Sequence, residues 1–374
     1  MAEPLKNSFG PEIPQHLATM ISHVHPTFPA QRFVRSALAG YAPLGLLARG
    51  RHIAGALRRH LPADYEQAIE ILLASLNTPH TPPHDQTSMA SFFYLPHVCF
   101  VAEYGVEHFD ASMRAQYLLT QWFTAEFSIR PFLERYPEAT LAILRTWATD
   151  PSPDVRRLVS EGTRPRLPWA PRLRAFQRDP RPVLQLLELL KDDPALYVRR
   201  SVANNLNDIG KDHPDLLAQT AKAWLRGASD ERRWIIHHAL RSAVKRGEPG
   251  ALRVLGAHQE ARVRLSRTSI TPSRVRLGGS VTLAVELGNP QSTAQRLIVD
   301  FCIHFVKASG HARPKVFKLT SLQLAPGERV SLRKSVTLKP LTTRRHYPGR
   351  HRVDLLINGR PLPLGAFTLQ VRPA

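Results

Sequence analysis

The spacing of apolar residues changes near residue 260, and this change most limits what the chain can fold into. Before that point apolar residues recur every three or four positions, as in residues 183–190, which is the spacing of one face of an α-helix. After it they recur at every second position, as in residues 281–287, which is typical of a strand with one buried face. We therefore predict a multidomain protein, with an all-α domain over residues 1–260 and an all-β domain over residues 261–374.

The helical part contains an internal repeat. Residues 150–161 align without a gap to residues 193–204, and the two copies share Asp, Pro, Val, Arg, Arg and Val at the same positions, 43 residues apart. A third and weaker copy begins at Ser229 and reaches Arg241. Paired helices that repeat every 40 to 47 residues or so are typical of HEAT-like repeats, which stack into a solenoid because no single pair buries its own apolar face. We expect such a solenoid, with a concave surface.

The second part has the regularly spaced turn sequences that are typical of an antiparallel β-sandwich. Turn sequences such as Gly278-Gly279 and Pro326-Gly327 separate about seven alternating runs, and this number of short strands predicts an immunoglobulin-like domain. The chain has two cysteines, Cys99 and Cys302, one in each predicted domain. That arrangement excludes a disulfide framework and fits a reducing compartment.

Charge indicates the class of partner. The chain has 51 lysines and arginines against 30 aspartates and glutamates, a formal net charge of +21. After residue 260 there are 20 basic and 4 acidic residues, so +16 of this charge belongs to the predicted β domain. Such an excess favours a polyanion as partner. Because we find no signal-peptide pattern and no long apolar run, we expect a cytoplasmic protein that does not enter a membrane.

Polar side chains recur four residues apart in three segments: Arg200, Asn204 and Asp208 in the first, Arg157 and Glu161 in the second, and Trp122 and Glu126 in the third. On a helix this spacing places them on one face. One interpretation is a set of surface ion pairs, each contributing a few tenths of a kcal/mol, with Arg200 and Arg157 in the usual ladder of contacts between the repeats of a solenoid. The other is a binding face, on which Arg157, Arg200 and Asn204 contact DNA.

The segment that follows the first repeat copy could also bind a nucleic acid. Residues 161–169 hold two prolines, which stiffen the chain, and we expect Arg164, Arg166 and Trp169 to project from it. Guanidinium groups suit phosphates and an indole suits a sugar or a base face. The alternative is that Trp169 fills the gap between two repeats.

Other classes of site have little support. The histidine pairs that could begin a metal site, namely His80 with His84, His237 with His238, and His346 with His351, lack further ligands at a suitable spacing. We find no motif of a serine hydrolase, a P-loop nucleotide hydrolase or a dinucleotide-binding enzyme. The sequence predicts neither a metal nor a cofactor.

Three groups of residues resemble one family of repair enzymes. They are the repeated Asp-x-x-x-x-Val-Arg-Arg, the segments 160–169 and 202–209, and the N-terminal Lys6-Asn7-Ser8-Phe9-Gly10. Over residues 1–258 the chain resembles the AlkC-type DNA alkylation repair glycosylases, which are built of HEAT-like repeats. Some members carry a C-terminal immunoglobulin-like domain, which fits the strand-rich region of this chain.

The resemblance implies a monofunctional DNA glycosylase of base excision repair. Such an enzyme hydrolyses the N-glycosidic bond of cationic N-alkylated bases, such as 3-methyladenine and 3-methylcytosine, in duplex DNA and without base flipping. Matched to the family, Asp208 is the principal catalytic carboxylate, Glu161 and Glu126 are accessory carboxylates, and Trp169 packs on the deoxyribose. Trp234 and Arg241 match positions that bind the DNA backbone.

The resemblance also implies a bacterial protein that acts as a monomer at the nucleoid. Two rival functions share the same predicted fold. One is a catalytically inactive scaffold that binds duplex DNA, and the other is a protein-interaction solenoid whose basic domain contacts an acidic partner or an anionic membrane. Release of an alkylated base from DNA would separate the enzyme from both.

Overall fold

A computed structural model describes Asn7 and residues 9–81, 89–340 and 345–371. Within these ranges the first two thirds of the chain is helical and the last third consists of strands, as the two periodicities predict. The helices are α1 Glu12–Val24, α2 Ala30–Leu38, α3 Leu46–His60, α4 Tyr65–Ser75, α5 Leu95–Tyr104, α6 Phe109–Leu119, α7 Ile129–Arg135, α8 Pro137–Trp147, α9 Pro153–Gly162, α10 Arg174–Arg178, α11 Arg181–Leu190, α12 Leu196–Asp212, α13 Pro214–Leu225, α14 Asp230–Lys245 and α15 Pro249–Val254, with a short 3₁₀ helix at Met89–Tyr94. None of the helices in these ranges is both long and apolar enough to cross a lipid bilayer.

Helix boundaries follow local chemistry. Proline occupies the first turn of α9 at Pro153 and of α13 at Pro214, where its missing amide hydrogen costs no helical hydrogen bond. Asp64 caps α4 by accepting a hydrogen bond from the Gln67 amide at 2.8 Å. The apolar face of α11, from Val183 to Leu190, is fully buried, which confirms the helical spacing.

The repeat has a structural counterpart. The 43-residue offset carries α8 onto α11 and α9 onto α12, and α9 packs against α12. Arg156 donates to the carbonyls of Asp150 and Pro151, and Arg199 donates in the same way to those of Asp193 and Pro194. Arg156 also pairs with Asp193 at 2.6 Å, so an arginine of the first copy is tied to the second.

Two sheets form the C-terminal part. The first has the order β1-β3-β6 and the second the order β2-β8-β7-β4-β5; all pairs are antiparallel except β2 with β8. The strands are β1 Arg264–Thr271, β2 Arg274–Arg276, β3 Ser280–Gly288, β4 Gln295–Val306, β5 Ala312–Leu324, β6 Arg329–Thr337, β7 Gly349–Ile357 and β8 Arg360–Gln370.

The core of this region lies between its two sheets. Val281 and Leu283 of β3 meet Phe301 and Ile303 of β4 in one apolar cluster, and all four are buried. The alternating residues of β3 alternate in burial, as a half-buried strand requires. Cys99 in the helical region and Cys302 in β4 are free thiols, in agreement with the exclusion of a disulfide framework.

The described residues fall into two compact units. One holds residues 7–212 with residues 229–235, and the other holds residues 213–228 with residues 236–371. The second unit therefore contains α13, most of α14 and α15 together with the β-sandwich. The division into domains at residue 260, between an all-α and an all-β domain, stays a prediction.

Candidate active site

Three carboxylates from separate segments lie together in the helical region. Glu126 is in the turn between α6 and α7, Glu161 is near the end of α9, and Asp208 is on α12. These residues are 9%, 6% and 0% exposed. Because a carboxylate loses its hydration on burial, it is found inside a protein only where cations or other donors compensate.

Arg157 joins the first two carboxylates. Its Nη2 lies 2.8 Å from Oε2 of Glu126 and 3.8 Å from Oε1 of Glu161, and its Nη1 donates to the Thr124 hydroxyl at 2.9 Å. Thr124 donates in turn to Glu126 at 2.7 Å. Burial alone would lower the pKa of Arg157, but Glu126 and Glu161 raise that pKa above the ordinary arginine value. The guanidinium group therefore stays charged.

Arg164 joins the second carboxylate to the third. Its Nη1 lies 2.6 Å from Oε1 of Glu161, and its Nε lies 2.9 Å from Oδ2 of Asp208. Nζ of Lys211 lies 2.7 Å from the other oxygen of Asp208. We call these six residues the carboxylate cluster: Glu126, Glu161, Asp208, Arg157, Arg164 and Lys211. Its three carboxylates and three cations give a formal charge of zero.

Glu161 is also oriented by hydroxyl groups. Ser201 on α12 donates to Oε2 of Glu161 at 2.6 Å, and Ser160 donates to the Ser201 oxygen at 2.7 Å. Since Oε1 faces the two arginines and Oε2 faces Ser201, both oxygens of this buried carboxylate have partners. The side chain is thus held in one orientation, as a preorganised catalytic group requires.

The loop that follows α9 is anchored by a buried arginine of α7. Arg130 is 4% exposed, and its Nη1 donates to the carbonyls of Gly162 and Arg164 at 2.9 Å each. Its Nη2 donates to the carbonyl of Pro171. Burial lowers the pKa of Arg130 to about 10, although Glu134 and Glu126 oppose the shift. Both ends of the loop are therefore tied to α7.

Trp169 projects from this loop. Its φ is +66°, in the left-handed region that non-glycine residues rarely adopt, and it is 59% exposed. The alternative that Trp169 fills the gap between repeats is therefore wrong. Strained backbone of this kind is found where function requires a particular presentation of a side chain.

A cleft of about 500 Å³ brings the cluster and this indole together. The side chains that line it include Glu126, Glu161, Arg157, Arg164, Trp169, Tyr197, Phe92, Phe123 and Phe127. The Arg157 guanidinium lies over the Tyr197 ring, 4.8 Å from its centroid. Asp208 lies behind Arg164, so Glu126 and Glu161 are the carboxylates that reach the cleft. Its walls thus combine two carboxylates and two arginines, whose charges balance, with aromatic faces that attract a cation.

The structure corrects the expectation that both loop arginines project. Arg164 is buried within the carboxylate cluster, and Arg166 is partly buried and paired with Asp212, its Nε 2.9 Å from Oδ2. Residues 120–128 form turns and irregular backbone, so Trp122 and Glu126 do not share a helix as predicted. Glu126 reaches the cluster from this turn.

The other predicted DNA-binding residues lie elsewhere on the fold. Arg200 is exposed on α12 and forms no ion pair with any residue that the structure describes, whereas Asn204 on the same helix is half-buried. Trp234 on α14 is half-buried in the first compact unit. Arg241 belongs to the second unit, where it lines a pocket. Their roles on DNA stay predictions.

Metal-binding groupings are absent from the described parts of the chain. Within them no three histidines, cysteines or acidic residues are placed to hold a metal ion. His84 lies outside the described residues, so its pairing with His80 is not addressed. His346 and His351 are buried against the Phe305 ring.

Three residues of the site are not among those predicted from the sequence. Arg130 carried no motif, and its three carbonyl partners lie more than 30 positions away along the chain. Lys211 follows Asp208 by three residues, a helical spacing that could have indicated their ion pair. Tyr197 precedes the apolar face of α12 and could have been noted as an aromatic residue beside the repeat arginines.

Comparison with known proteins identifies the family. Residues 264–371 match the family model described as the C-terminal Ig-like domain of the uncharacterised protein YhaZ. The chain is 36% identical over 356 residues to the uncharacterized protein YhaZ of Bacillus subtilis (strain 168), covering 95% of this chain and 96% of that protein. It is 38% identical to the alkylpurine DNA glycosylase AlkC of Pseudomonas fluorescens, solved bound to DNA containing an abasic site analog, with a TM-score of 0.89.

This structural match covers 98% of the present chain and 100% of the Pseudomonas chain, so it spans both the helical region and the sandwich. Identity above 30% over nearly the full length is sufficient to assign a family, and it agrees with the resemblance of the repeat and loop motifs. The chain belongs to the AlkC family and carries the immunoglobulin-like C-terminal domain of its YhaZ-type members.

Proposed function

We propose that this protein is a DNA glycosylase of base excision repair that removes cationic N-alkylated bases, such as 3-methyladenine and 3-methylcytosine, from duplex DNA. The observation that carries the proposal is the carboxylate cluster, four of whose members line a cleft together with the exposed Trp169: Glu126, Glu161, Arg157 and Arg164. The likeness to the Pseudomonas alkylpurine DNA glycosylase supports it over the full chain. Hydrolysis of the N-glycosidic bond is the reaction that such a site suits.

The chemistry requires little of the protein beyond negative charge and a positioned water. A base alkylated at a ring nitrogen is already cationic, so it departs without a general acid. The sugar left behind develops oxocarbenium character, which carboxylates stabilise by electrostatic attraction in a shielded site. Glu126 and Glu161 reach the cleft, and either one could also accept the proton of the attacking water.

Asp208 is the principal catalytic carboxylate in this proposal, although Arg164 and Lys211 cover it. The Lys211 side chain is 37% exposed, whereas that of Asp208 is 1% exposed. A DNA phosphate close to Lys211 would compete for its ammonium group and release one oxygen of Asp208. Binding of DNA would thereby turn a neutral cluster into one that carries negative charge at the sugar.

Trp169 packs on the deoxyribose in this scheme, and the lesion stays in the duplex. Because no pocket recognises the base by its polar groups, selectivity comes from the lability of the glycosidic bond, so neutral adducts should resist excision.

The helix pairs related by 43 residues support a HEAT-like solenoid as the scaffold of the site. The sandwich, which holds most of the net charge, would add contacts to phosphates.

The test is a glycosylase assay on methylated duplex DNA with wild-type protein and Asp208→Asn. We expect release of 3-methyladenine to fall at least about 100-fold in the variant, because an electrostatic contact to the developing charge is lost. Binding to a duplex with an abasic-site analogue should persist. Asp212→Asn is the matched control, since it makes the same change one turn further along α12, outside the carboxylate cluster.

The outcomes separate the candidate functions. Full activity of Asp208→Asn would eliminate the proposed mechanism. Duplex binding without release of any base by the wild-type protein would indicate a scaffold, and the absence of duplex binding would indicate a protein-interaction role.

A further inference from the structure

A second cavity adjoins the cleft in the helical region. It has a volume of about 210 Å³ and shares two lining residues with the cleft, Phe127 and Trp169. Its other walls come from α3, α5, α7 and the loop after α9, all within the first compact unit. We call it the side pocket, and its lining includes Arg51 of α3, Val98, Cys99, Ala102 and Glu103 of α5, and Arg130 of α7.

Most of the lining of the side pocket is apolar. Leucine, valine, proline and aromatic side chains make up its walls. Burial, with a smaller effect of Glu103, raises the pKa of the Cys99 thiol to about 12, so this group is uncharged near neutral pH. An engineered apolar cavity of about 150 Å³ binds benzene. A cavity of about 210 Å³ therefore suits a flat ring system that is larger than benzene.

The charged groups of the side pocket balance. Nε of Arg51 lies 3.5 Å from Oε1 of Glu103, and Arg130 and Glu134 bring one further charge of each sign. The Arg130 guanidinium is already hydrogen-bonded to carbonyls at both ends of the loop. A cavity with apolar walls and no net charge offers little compensation for the lost hydration of an ion. We therefore expect an uncharged occupant.

Glu103 is the polar group of the pocket that is short of hydrogen-bond partners. Among the described residues, Arg51 is its ion-pair partner, and the 3.5 Å between them is longer than an ordinary N–H···O hydrogen bond. Burial raises the pKa of Glu103, and Arg51 opposes the rise. An N–H group of a ligand would supply a charge-assisted hydrogen bond to this carboxylate. An amino group on a flat ring is a donor of this kind.

We propose that the side pocket binds the free base that excision releases, as a neutral, flat heterocycle whose amino group donates to Glu103. This inference rests on the proposed function, which supplies the identity of the occupant. In that reaction the bond between C1′ and the ring nitrogen breaks, and its electron pair goes to the nitrogen. The hydroxyl of water bonds to C1′, and its proton goes to a carboxylate. A base that was cationic in DNA thus departs uncharged.

3-Methyladenine has the features that the side pocket requires. It is a flat, two-ring molecule with one exocyclic amino group. The shared residues Phe127 and Trp169 place the pocket next to the cleft in which the glycosidic bond would break. Because the pocket takes the base after cleavage, it has no part in the choice of lesion in the duplex.

The first test titrates the protein, without DNA, with 3-methyladenine in a calorimeter. Ala102→Phe places a ring in the side pocket and should weaken binding at least about 10-fold, because burial of the ligand is lost. The matched control is Ala111→Phe, the same change at another half-buried alanine, on α6. No binding to the wild-type protein, or equal weakening in both variants, would overturn the proposal.

Glu103→Gln tests the pocket without filling it. Loss of the charge-assisted hydrogen bond should weaken binding of 3-methyladenine about 10-fold. Purine has the same ring system without the amino group, so its affinity should be the same for the wild-type protein and for Glu103→Gln. A variant that binds 3-methyladenine as tightly as the wild-type protein does would refute the role of Glu103 and the proposal with it.

The second test repeats the titration on protein saturated with a duplex that contains an abasic-site analogue. This duplex occupies the cleft and imitates the state after cleavage. The Arg51 side chain at the pocket is 62% exposed, so solvent reaches this side as well. We expect the Kd for 3-methyladenine to stay close to that of the free protein. A Kd that rises in proportion to the duplex concentration would place the base in the cleft and contradict the proposal.

These tests separate the inference from the proposed function, because the titrations do not require that the protein excise a base. A protein that releases 3-methyladenine from DNA and does not bind the free base would lose this inference alone. A protein that binds the free base in the side pocket and releases none from DNA would keep the pocket with its ligand and lose the proposed function.

Discussion

At the scale of single residues, Trp169 combines a backbone conformation that favours glycine with a large, exposed side chain. Its positive φ would suit glycine, yet the chain places its largest side chain there and leaves most of it exposed. An L-residue in this conformation costs about 1–2 kcal/mol relative to ordinary backbone. Since the exposed indole contributes little to the core, packing does not explain the choice, whereas contact with DNA would.

Replacing Trp169 by glycine should therefore separate stability from function. We expect the free energy of unfolding of Trp169→Gly to stay the same or to rise by up to about 1 kcal/mol, because relief of strain exceeds the added chain entropy. Excision of 3-methyladenine should fall at least about tenfold. Urea unfolding and single-turnover kinetics measure the two effects. Clear destabilisation with unchanged excision would show that the indole serves packing instead.

The residues of the site could be predicted only in part. Asp208, Glu161 and Trp169 lie in motifs that match a known family, and the structure brings them to one site. The four-residue spacing of Trp122 and Glu126 predicts a helix, whereas Glu126 lies in a turn. Spacing along one element cannot show that Arg157 bridges Glu126 to Glu161, because that contact depends on how α9 packs beside the turn.

At the scale of elements, the loop after α9 depends on one buried guanidinium. Arg130 holds carbonyls at both ends of the loop, and a buried carbonyl without a donor costs about 1–3 kcal/mol. The loop carries Arg164 of the carboxylate cluster as well as Trp169. A loosened loop would thus displace both Arg164 and Trp169, which line the cleft.

We expect Arg130→Met to lower the free energy of unfolding by about 3 kcal/mol and to reduce excision. Arg130→Lys should restore part of both, because it keeps the charge and some of its donors. Arg145→Met, at an exposed arginine of α8, is the matched control and should change stability by less than about 0.5 kcal/mol. Equal urea midpoints for Arg130→Met and Arg145→Met would contradict the anchoring role.

Elements could be predicted where their burial is periodic and could not where it is not. The helix α11 and the strand β3 follow their expected spacing throughout. The edge strand β1 has mostly exposed residues without alternation, and β2 is three residues long, so neither lies in the alternating runs of the sequence. Pairing with neighbouring strands, rather than a local pattern, makes them strands.

At the scale of the whole molecule, the two kinds of charge respond differently to salt. Exposed cations of the sandwich are screened by mobile ions, whereas the carboxylate cluster is largely buried and is screened much less. Binding to DNA and the chemical step should therefore separate in a salt titration.

We expect the Kd for duplex DNA to weaken steeply between about 50 and 200 mM salt, by about 10-fold or more. The single-turnover rate with saturating protein should change less than about twofold over the same range. Fluorescence anisotropy and excision of 3-methyladenine measure the two quantities, with unalkylated duplex as the binding control. A chemical rate that falls in parallel with affinity would show that the exposed charges take part in the reaction.

The two ion pairs of Asp208 bear on whether the protein would cleave free nucleosides. In the protein without DNA, Arg164 and Lys211 occupy both oxygens of this carboxylate. An alkylated nucleoside has the same glycosidic bond as a lesion but brings no phosphate to compete for Lys211. It would meet a neutralised site and stay intact. The lysine that stabilises the buried carboxylate would thus restrict the reaction to the polymer and spare the monomer pool of the cell.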